Sequence, residues 1–154
     1  LIKDLFGNDI LTVPFFAWVV AQLFKTLTYL LVEKKISLSR LLGDGGMPSG
    51  HSAVVTALTV MTAYRCGVSS AEFAIAGIFT LIVLRDAIGV RQETGKQAKS
   101  IKELAHTVNR IFLEKDEQIR TEKLKEFVGH TPLQVFFGLL TGVLVSVFYI
   151  AVFN

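Results

Sequence analysis

The stretch from Gly45 to Ser52 contains the residues whose types and order could carry out chemistry. Its sequence, GGMPSGHS, leads into an apolar run that begins at Ala53, which predicts a loop turning into a helix with Ser49 as the N-cap. The first turn of a helix offers unpaired backbone N–H groups, and glycine lets an anion approach them. His51 would lie beside such an anion and can exchange a proton near neutral pH, which favours phosphoryl chemistry. A helix cap followed by a surface histidine is the alternative.

The composition indicates a membrane protein. Of the 154 residues, 51% are hydrophobic, and the mean hydropathy of +0.52 is too high for a soluble domain of this length. The net charge of +3 is small, and the basic residues are not interleaved with aromatic ones. No nucleic-acid partner is therefore expected.

Four apolar segments predict four membrane-spanning helices. They cover about residues 10–32, 51–65, 72–90 and 131–153. So few residues join the second and third segments that these two helices should form a tight antiparallel hairpin. Pro132 suits the first turn of the last helix. The sequence therefore predicts a single all-α domain over residues 1–154, an integral membrane helical bundle.

The segment between the third and fourth spans, residues 91–128, is highly charged. Apolar residues recur in it at the spacing of one helical face, as in an amphipathic helix. These residues are Ile101, Leu104, Ala105, Val108, Ile111 and Phe112. We expect this helical insertion either to pack on the protein or to lie at the bilayer surface, with its charges on a solvated face.

The distribution of charge predicts the orientation. The loop after the first span contains three Lys or Arg and residues 91–126 contain nine, so together these two segments hold 12 of the 16 in the chain. Both segments lie on one side of a four-span bundle, and the positive-inside tendency makes that side cytoplasmic. His51 and His130 both begin spans on this side, so the two histidines can converge at one membrane surface beside Arg91.

Charged residues within the spans are further candidates. Lys25 shares a helical face with Gln22 and Tyr29. An ammonium group in hydrocarbon is costly unless it faces a partner or a wet cavity, which indicates a function, although a lysine that snorkels to the interface is an equal alternative. Arg85 and Asp86 are expected to pair or to face a polar pocket, and an ion pair that only fixes helix packing is the alternative.

Three segments, taken in order, resemble the type 2 phosphatidic acid phosphatases, which share a helical core with the vanadium haloperoxidases. PSGH ends at His51, and the matching downstream pattern consists of His130, Gln134, Val135, Gly138 and Gly142. GGMPSGHSA, DAIGVRQETGKQA and GHTPLQV are similar, more narrowly, to the divergent bacterial branch of that superfamily.

The resemblance implies a role for each matching residue. His51 would act as the general acid on the leaving oxygen, and His130 would attack phosphorus to form a phosphohistidine. Ser49 and the N–H group of Gly50 would bind phosphate oxygens.

The resemblance also implies cations around the phosphate. Arg91, or as a second choice Arg85, would hold the phosphate. A lysine and an arginine of the first family motif would map loosely onto Lys25 and Arg40, because the usual spacing ending in Arg-Pro is absent, and Lys25 is the preferred candidate of the two. No metal and no other cofactor is implied.

Gln134 departs from the family pattern. The family has an aspartate four residues after the nucleophilic histidine, and the divergent branch often has glutamate. An amide oxygen can accept the ring N–H but supplies no negative charge. Either Asp86, Glu93 or Glu126 supplies that charge, or turnover is slow, or the site binds a phosphate without cleaving it.

Together these features predict a metal-independent lipid-phosphate phosphatase of the bacterial cell membrane, with its site among cytoplasmic loops. The alternative is a catalytically degenerate member that binds lipid head groups or scaffolds a membrane assembly. Small residues on one face of the last span predict close packing against a second copy, and hence a homodimer. These residues are Gly138, Thr141, Gly142 and Ser146.

Overall fold

A computed structural model describes residues 7–33, 46–112 and 130–153, which form five α-helices and one π-helical segment and contain no strand. The helices are α1 (Asp9–Glu33), α2 (Gly50–Cys66), α3 (Ala71–Arg85), α4 (Arg91–Phe112) and α5 (Pro132–Phe153). The π-helical segment, Asp86–Val90, joins α3 to α4 without a break. The all-α prediction is confirmed over the described residues.

Three of the described helices are long and apolar enough to cross a membrane. They are Asp9–Leu31, the continuous helix Ala71–Ile111, and Pro132–Phe153. Large apolar side chains on them face outward, among them Phe15, Phe79 and Phe148, and such a surface requires lipid around it. The fold is therefore an integral membrane helical bundle, as predicted.

The fourth helix of the bundle, α2, lies at its centre. It is only 17 residues long and packs against α1, α3 and α5. Because protein surrounds it, α2 can carry threonine and serine where a lipid-facing helix needs large apolar residues. The hydroxyl of Thr59 in α2 lies 2.7 Å from that of Thr80 in α3, and this contact links the two helices of the predicted hairpin.

Helices α2 and α5 touch backbone to backbone. A Cβ added to Gly138 would lie 2.5 Å from the carbonyl oxygen of Ser49, and one added to Gly142 would lie 2.5 Å from the carbonyl oxygen of Ala53. Both distances are far below van der Waals contact, so only glycine fits at either position. The pair, four residues apart, lets the two helix backbones approach closely in the way small residues do in membrane bundles.

The small face of α5 is thus occupied within the chain. Gly138 and Gly142 contact α2, and Ser146 is buried one turn further along. The sequence assigned this face to a second copy, and that assignment is wrong, because α2 presents matching small residues to it. A homodimer stays a prediction, without this face to support it.

Polar contacts also close the end of the bundle farthest from His51. The carboxylate of Asp9, in the first turn of α1, pairs with Arg65 in the last turn of α2. Its other oxygen accepts a 2.8 Å hydrogen bond from the hydroxyl of Tyr149 in α5. One carboxylate therefore ties together three helices.

Helix α4 makes no extensive contact with the other four described helices; among the described elements, its main contacts are with the π-helical segment that precedes it. The predicted apolar stripe is divided between two sides, because Ala105 is buried whereas Ile101, Leu104 and Ile111 are exposed. The predicted helix is confirmed over Arg91–Phe112, and the remainder of the insertion lies outside the described residues.

The contact between α2 and α5 predicts the effect of adding one methyl group. Gly142→Ala should destabilise the bundle by about 1–3 kcal/mol, as overpacking typically does, since the new Cβ meets backbone that cannot rotate away. Thermal unfolding of the purified protein in detergent measures this. Gly77→Ala in α3 is the matched control, because its Cβ enters open space and should leave the midpoint unchanged or raise it. Equal midpoints for the two variants would contradict the close contact.

Candidate active site

The turn from the loop into α2 is built as predicted, with Ser49 as the N-cap. The Oγ of Ser49 accepts hydrogen bonds from the N–H of Ser52, at 3.4 Å, and from its hydroxyl, at 3.0 Å. The N–H of Ser49 donates to the carbonyl oxygen of Gln134 at 3.0 Å, and the residue is fully buried. Ser49 therefore fixes the loop against α5. The N–H groups of Gly50 and His51 belong to the first turn of α2, which follows this cap.

The structure brings the two histidines together. The ring centroids of His51 and His130 lie 6.2 Å apart, with the ring planes inclined by 56°. Hydrogen bonds of about 2.6–3.2 Å would let both rings reach one small tetrahedral oxyanion between them. His51 is exposed, whereas His130 is only 4% exposed, so a ligand would approach from the side of His51.

Hydrogen bonds to the π-helical segment and to α5 hold His130. Its backbone N–H donates to the carbonyl oxygen of Ala87 in the π-helical segment, at 3.0 Å. Its ring Nδ1 lies 3.2 Å from Oε1 of Gln134. Backbone and ring are thus fixed by two different helices, the first joining α3 to α4 and the second being α5. π-Helical turns often occur at functional sites, and here such a turn presents the carbonyl group that His130 uses.

Gln134 and Thr131 form a capping box at the start of α5. The hydroxyl of Thr131 accepts the N–H of Gln134 at 3.3 Å, and Oε1 of Gln134 accepts the N–H of Thr131 at 3.1 Å. A backbone N–H can only donate, so the Gln134 atom facing it must be the oxygen. The Nδ1 of His130 faces that same oxygen, so in the neutral ring Nδ1 carries the hydrogen and Nε2 is the basic nitrogen.

One face of α1 lines the loop and the start of α2. A Cβ on Gly50 would lie 3.3 Å from the indole of Trp18 and 4.0 Å from the amide nitrogen of Gln22. One on Gly46, whose φ is +105°, would lie 2.9 Å from Cε of Lys25. The side chain of Lys25 therefore lies along the loop that precedes His51, on the face that the sequence predicted.

The described contacts do not bring Arg85 to the histidines. Arg85 is exposed and runs along its own helix, with Nε 4.0 Å from the position of a Cβ on Gly89. Arg91 begins α4, and its side chain lies outside the described residues, as do Arg40 and Glu126.

The acidic candidates differ in their surroundings. Asp86 is half-buried at the first position of the π-helical segment, next to the carbonyl group that holds His130. Glu93 is exposed on α4 and bonds to Lys96 at 2.6 Å. Asp86 is thus the described carboxylate nearest in sequence to a contact of His130.

Three features of this site were not predicted from the sequence. Trp18 extends the face of Gln22 and Lys25 by one turn, and its i, i+4, i+7 spacing was readable. The capping box Thr131-Pro-Leu-Gln134 matches the S/T-x-x-E/Q pattern and was also readable. The bond from Ala87 to His130 had no signal, because it depends on a π-helical turn.

Comparisons with protein families and with individual proteins each found a match. The family described as the Divergent PAP2 family matches residues 6–145 of the chain. The chain is also 43% identical, over 136 residues, to "Uncharacterized membrane protein YuiD" of Bacillus subtilis (strain 168), across 84% of this chain and 86% of that protein. No solved structure matches the chain significantly.

Proposed function

The chain belongs to the Divergent PAP2 family, and from that premise we propose that it is a metal-independent phosphatase acting on lipid phosphates at the membrane interface. The observation that carries the proposal is the pair of imidazoles 6.2 Å apart, one of them held through its Nδ1 by Oε1 of Gln134. A helix start and a lysine stem lie against the same loop.

The reaction divides between the two rings. Nε2 of His130 attacks phosphorus, and the N–P bond forms as the bond to the lipid oxygen breaks. His51, in its protonated form, gives its proton to that leaving oxygen. A water molecule then attacks phosphorus of the phosphohistidine while His51 takes a proton from that water. The N–P bond breaks, and phosphate leaves with His130 restored. Each ring ends the cycle in the state in which it began.

Positive charge and N–H donors stabilise the transferring group. Phosphoryl transfer depends on position and on charge around the equatorial oxygens. The first-turn N–H groups of Gly50 and His51 offer donors together with the positive end of the helix dipole. The aliphatic part of the Lys25 side chain lies against Gly46, and its ammonium group supplies positive charge. Arg91 is the guanidinium that we assign to the phosphate.

A second candidate function is a degenerate member that binds lipid head groups without cleaving them. Gln134 favours it, because an amide orients the ring of His130 but provides no charge to stabilise its cation. The two functions differ in one observable. Both would bind a phosphate group, but only the phosphatase would release inorganic phosphate.

The histidine pair predicts the loss of phosphate release. His130→Ala removes the nucleophile and should abolish release from phosphatidic acid, phosphatidylglycerophosphate or polyprenyl diphosphate in detergent. His51→Ala should lower the rate by about 10²–10⁴, the usual contribution of a general acid. His106→Ala is the matched control, since this third histidine is exposed on α4 and should leave the rate unchanged.

Three outcomes contradict parts of the proposal. If His106→Ala reduces release as much as His130→Ala does, the assigned pair is wrong. If the wild type releases phosphate from none of these lipids yet binds vanadate, the degenerate function replaces the enzyme. If it binds neither lipid phosphate nor vanadate, both functions fail.

A carboxylate in place of the Gln134 amide should increase phosphate release. Gln134→Glu retains both acceptor contacts and adds negative charge beside His130, so phosphate release should rise while thermal stability is kept. Gln134→Leu should lower both, since it removes the ring contact and the capping box, the latter contributing about 1 kcal/mol.

Thr131→Val separates these two effects. It removes the hydroxyl that accepts the N–H of Gln134 but leaves the contact with His130 in place, so it should lower stability with little effect on the rate. A rate loss in Thr131→Val equal to that in Gln134→Leu would show that Gln134 acts only through the helix cap.

A further inference from the structure

Helix α4 carries an apolar stripe that no described helix covers. Ile101, Leu104 and Ile111 are 50%, 66% and 57% exposed, and their spacing of three and seven residues places them on one side. Val90, at the junction with the π-helical segment, is 64% exposed and lies eleven residues, or three turns, before Ile101. Between Val90 and Ile101 the same side carries the polar residues Glu93, Thr94 and Gln97, so the apolar stripe occupies the second half of α4.

Basic residues accompany this stripe. Between Arg91 and Phe112 the sequence has five Lys or Arg and two Glu. Both acids are engaged within the helix: Glu93 bonds to Lys96 at 2.6 Å, and Glu103 lies 3.9 Å from Lys99. An exposed apolar stripe beside a lysine-rich polar face on a helix of low overall apolarity is the pattern of an interfacial helix.

We propose that α4 docks this stripe onto an anionic bilayer surface beside the histidine pair. The excess of basic residues is attracted to anionic lipid head groups, whereas it repels a second copy of the same helix. The positions flanking the stripe in a coiled coil, such as Ser100, Ala105 and Thr107, carry no charges that would pair two copies. Because α4 is continuous with a candidate span, its first turn is already tethered at a membrane surface.

Single cysteines in the full-length protein test the docking. In a Cys66→Ser background, Leu104→Cys and Lys99→Cys carry an environment-sensitive fluorophore on opposite sides of α4. The two positions match in exposure, with Leu104 66% exposed and the side chain of Lys99 68% exposed. The proteins are reconstituted in phosphatidylcholine vesicles with and without phosphatidylglycerol, and quenched either by iodide or by nitroxide-labelled acyl chains.

Docking predicts opposite quenching at the two positions. With phosphatidylglycerol present, the probe at Leu104 should be quenched by the lipid nitroxide and be several-fold less accessible to iodide than the probe at Lys99. High salt or pure phosphatidylcholine should reduce that difference, because screening weakens the attraction of lysine to the lipid.

Each other pattern overturns the proposal. Equal iodide access at both positions shows a solvated stripe. Lipid quenching at Leu104 that does not depend on salt or on phosphatidylglycerol shows that anionic lipid is not required for the contact. Protection at Leu104 without lipid quenching shows that protein covers the stripe, and dependence of this protection on the protein-to-lipid ratio identifies a second copy. Ile101→Cys repeats the test if Leu104→Cys fails to fold.

Discussion

The backbone contact between α2 and α5 sets the geometry of the candidate site. Gly138 and Gly142 let α5 approach so closely that any side chain there would meet a carbonyl oxygen of α2. His51 lies in the first turn of α2, and His130 lies just before α5, so the separation of these helices sets the separation of the rings. Glycines that look like a packing detail thus determine the 6.2 Å distance that the proposed reaction requires.

Gln134 connects this packing to the chemistry. Its side-chain oxygen closes the cap of α5 and also fixes the hydrogen on Nδ1 of His130, while its carbonyl group accepts the N–H of Ser49 at the start of α2. One residue therefore joins the beginnings of both helices and orients the ring between them. An amide is sufficient for each of these contacts, which explains how the arrangement persists without the carboxylate that the resemblance led us to expect.

Local signals were predictable from the sequence, whereas partners across space were not. Ser49 as a cap, Pro132 as a helix start and the shared face of Gln22 and Lys25 all depend on neighbours within a few residues, which fix such features. The spacing of Gly138 and Gly142 shows that a backbone comes close but not which backbone, and α2 proved to be the partner. Likewise, the spacing on α4 predicted its helix but not that no described helix would cover its stripe.

A structure of the chain bound to vanadate would test whether His51 and His130 act on one phosphate group. We expect vanadium bonded to Nε2 of His130, with a ring nitrogen of His51 about 2.6–3.2 Å from a vanadate oxygen. Vanadate bound away from either ring, or bonded to His130 through Nδ1, would contradict it.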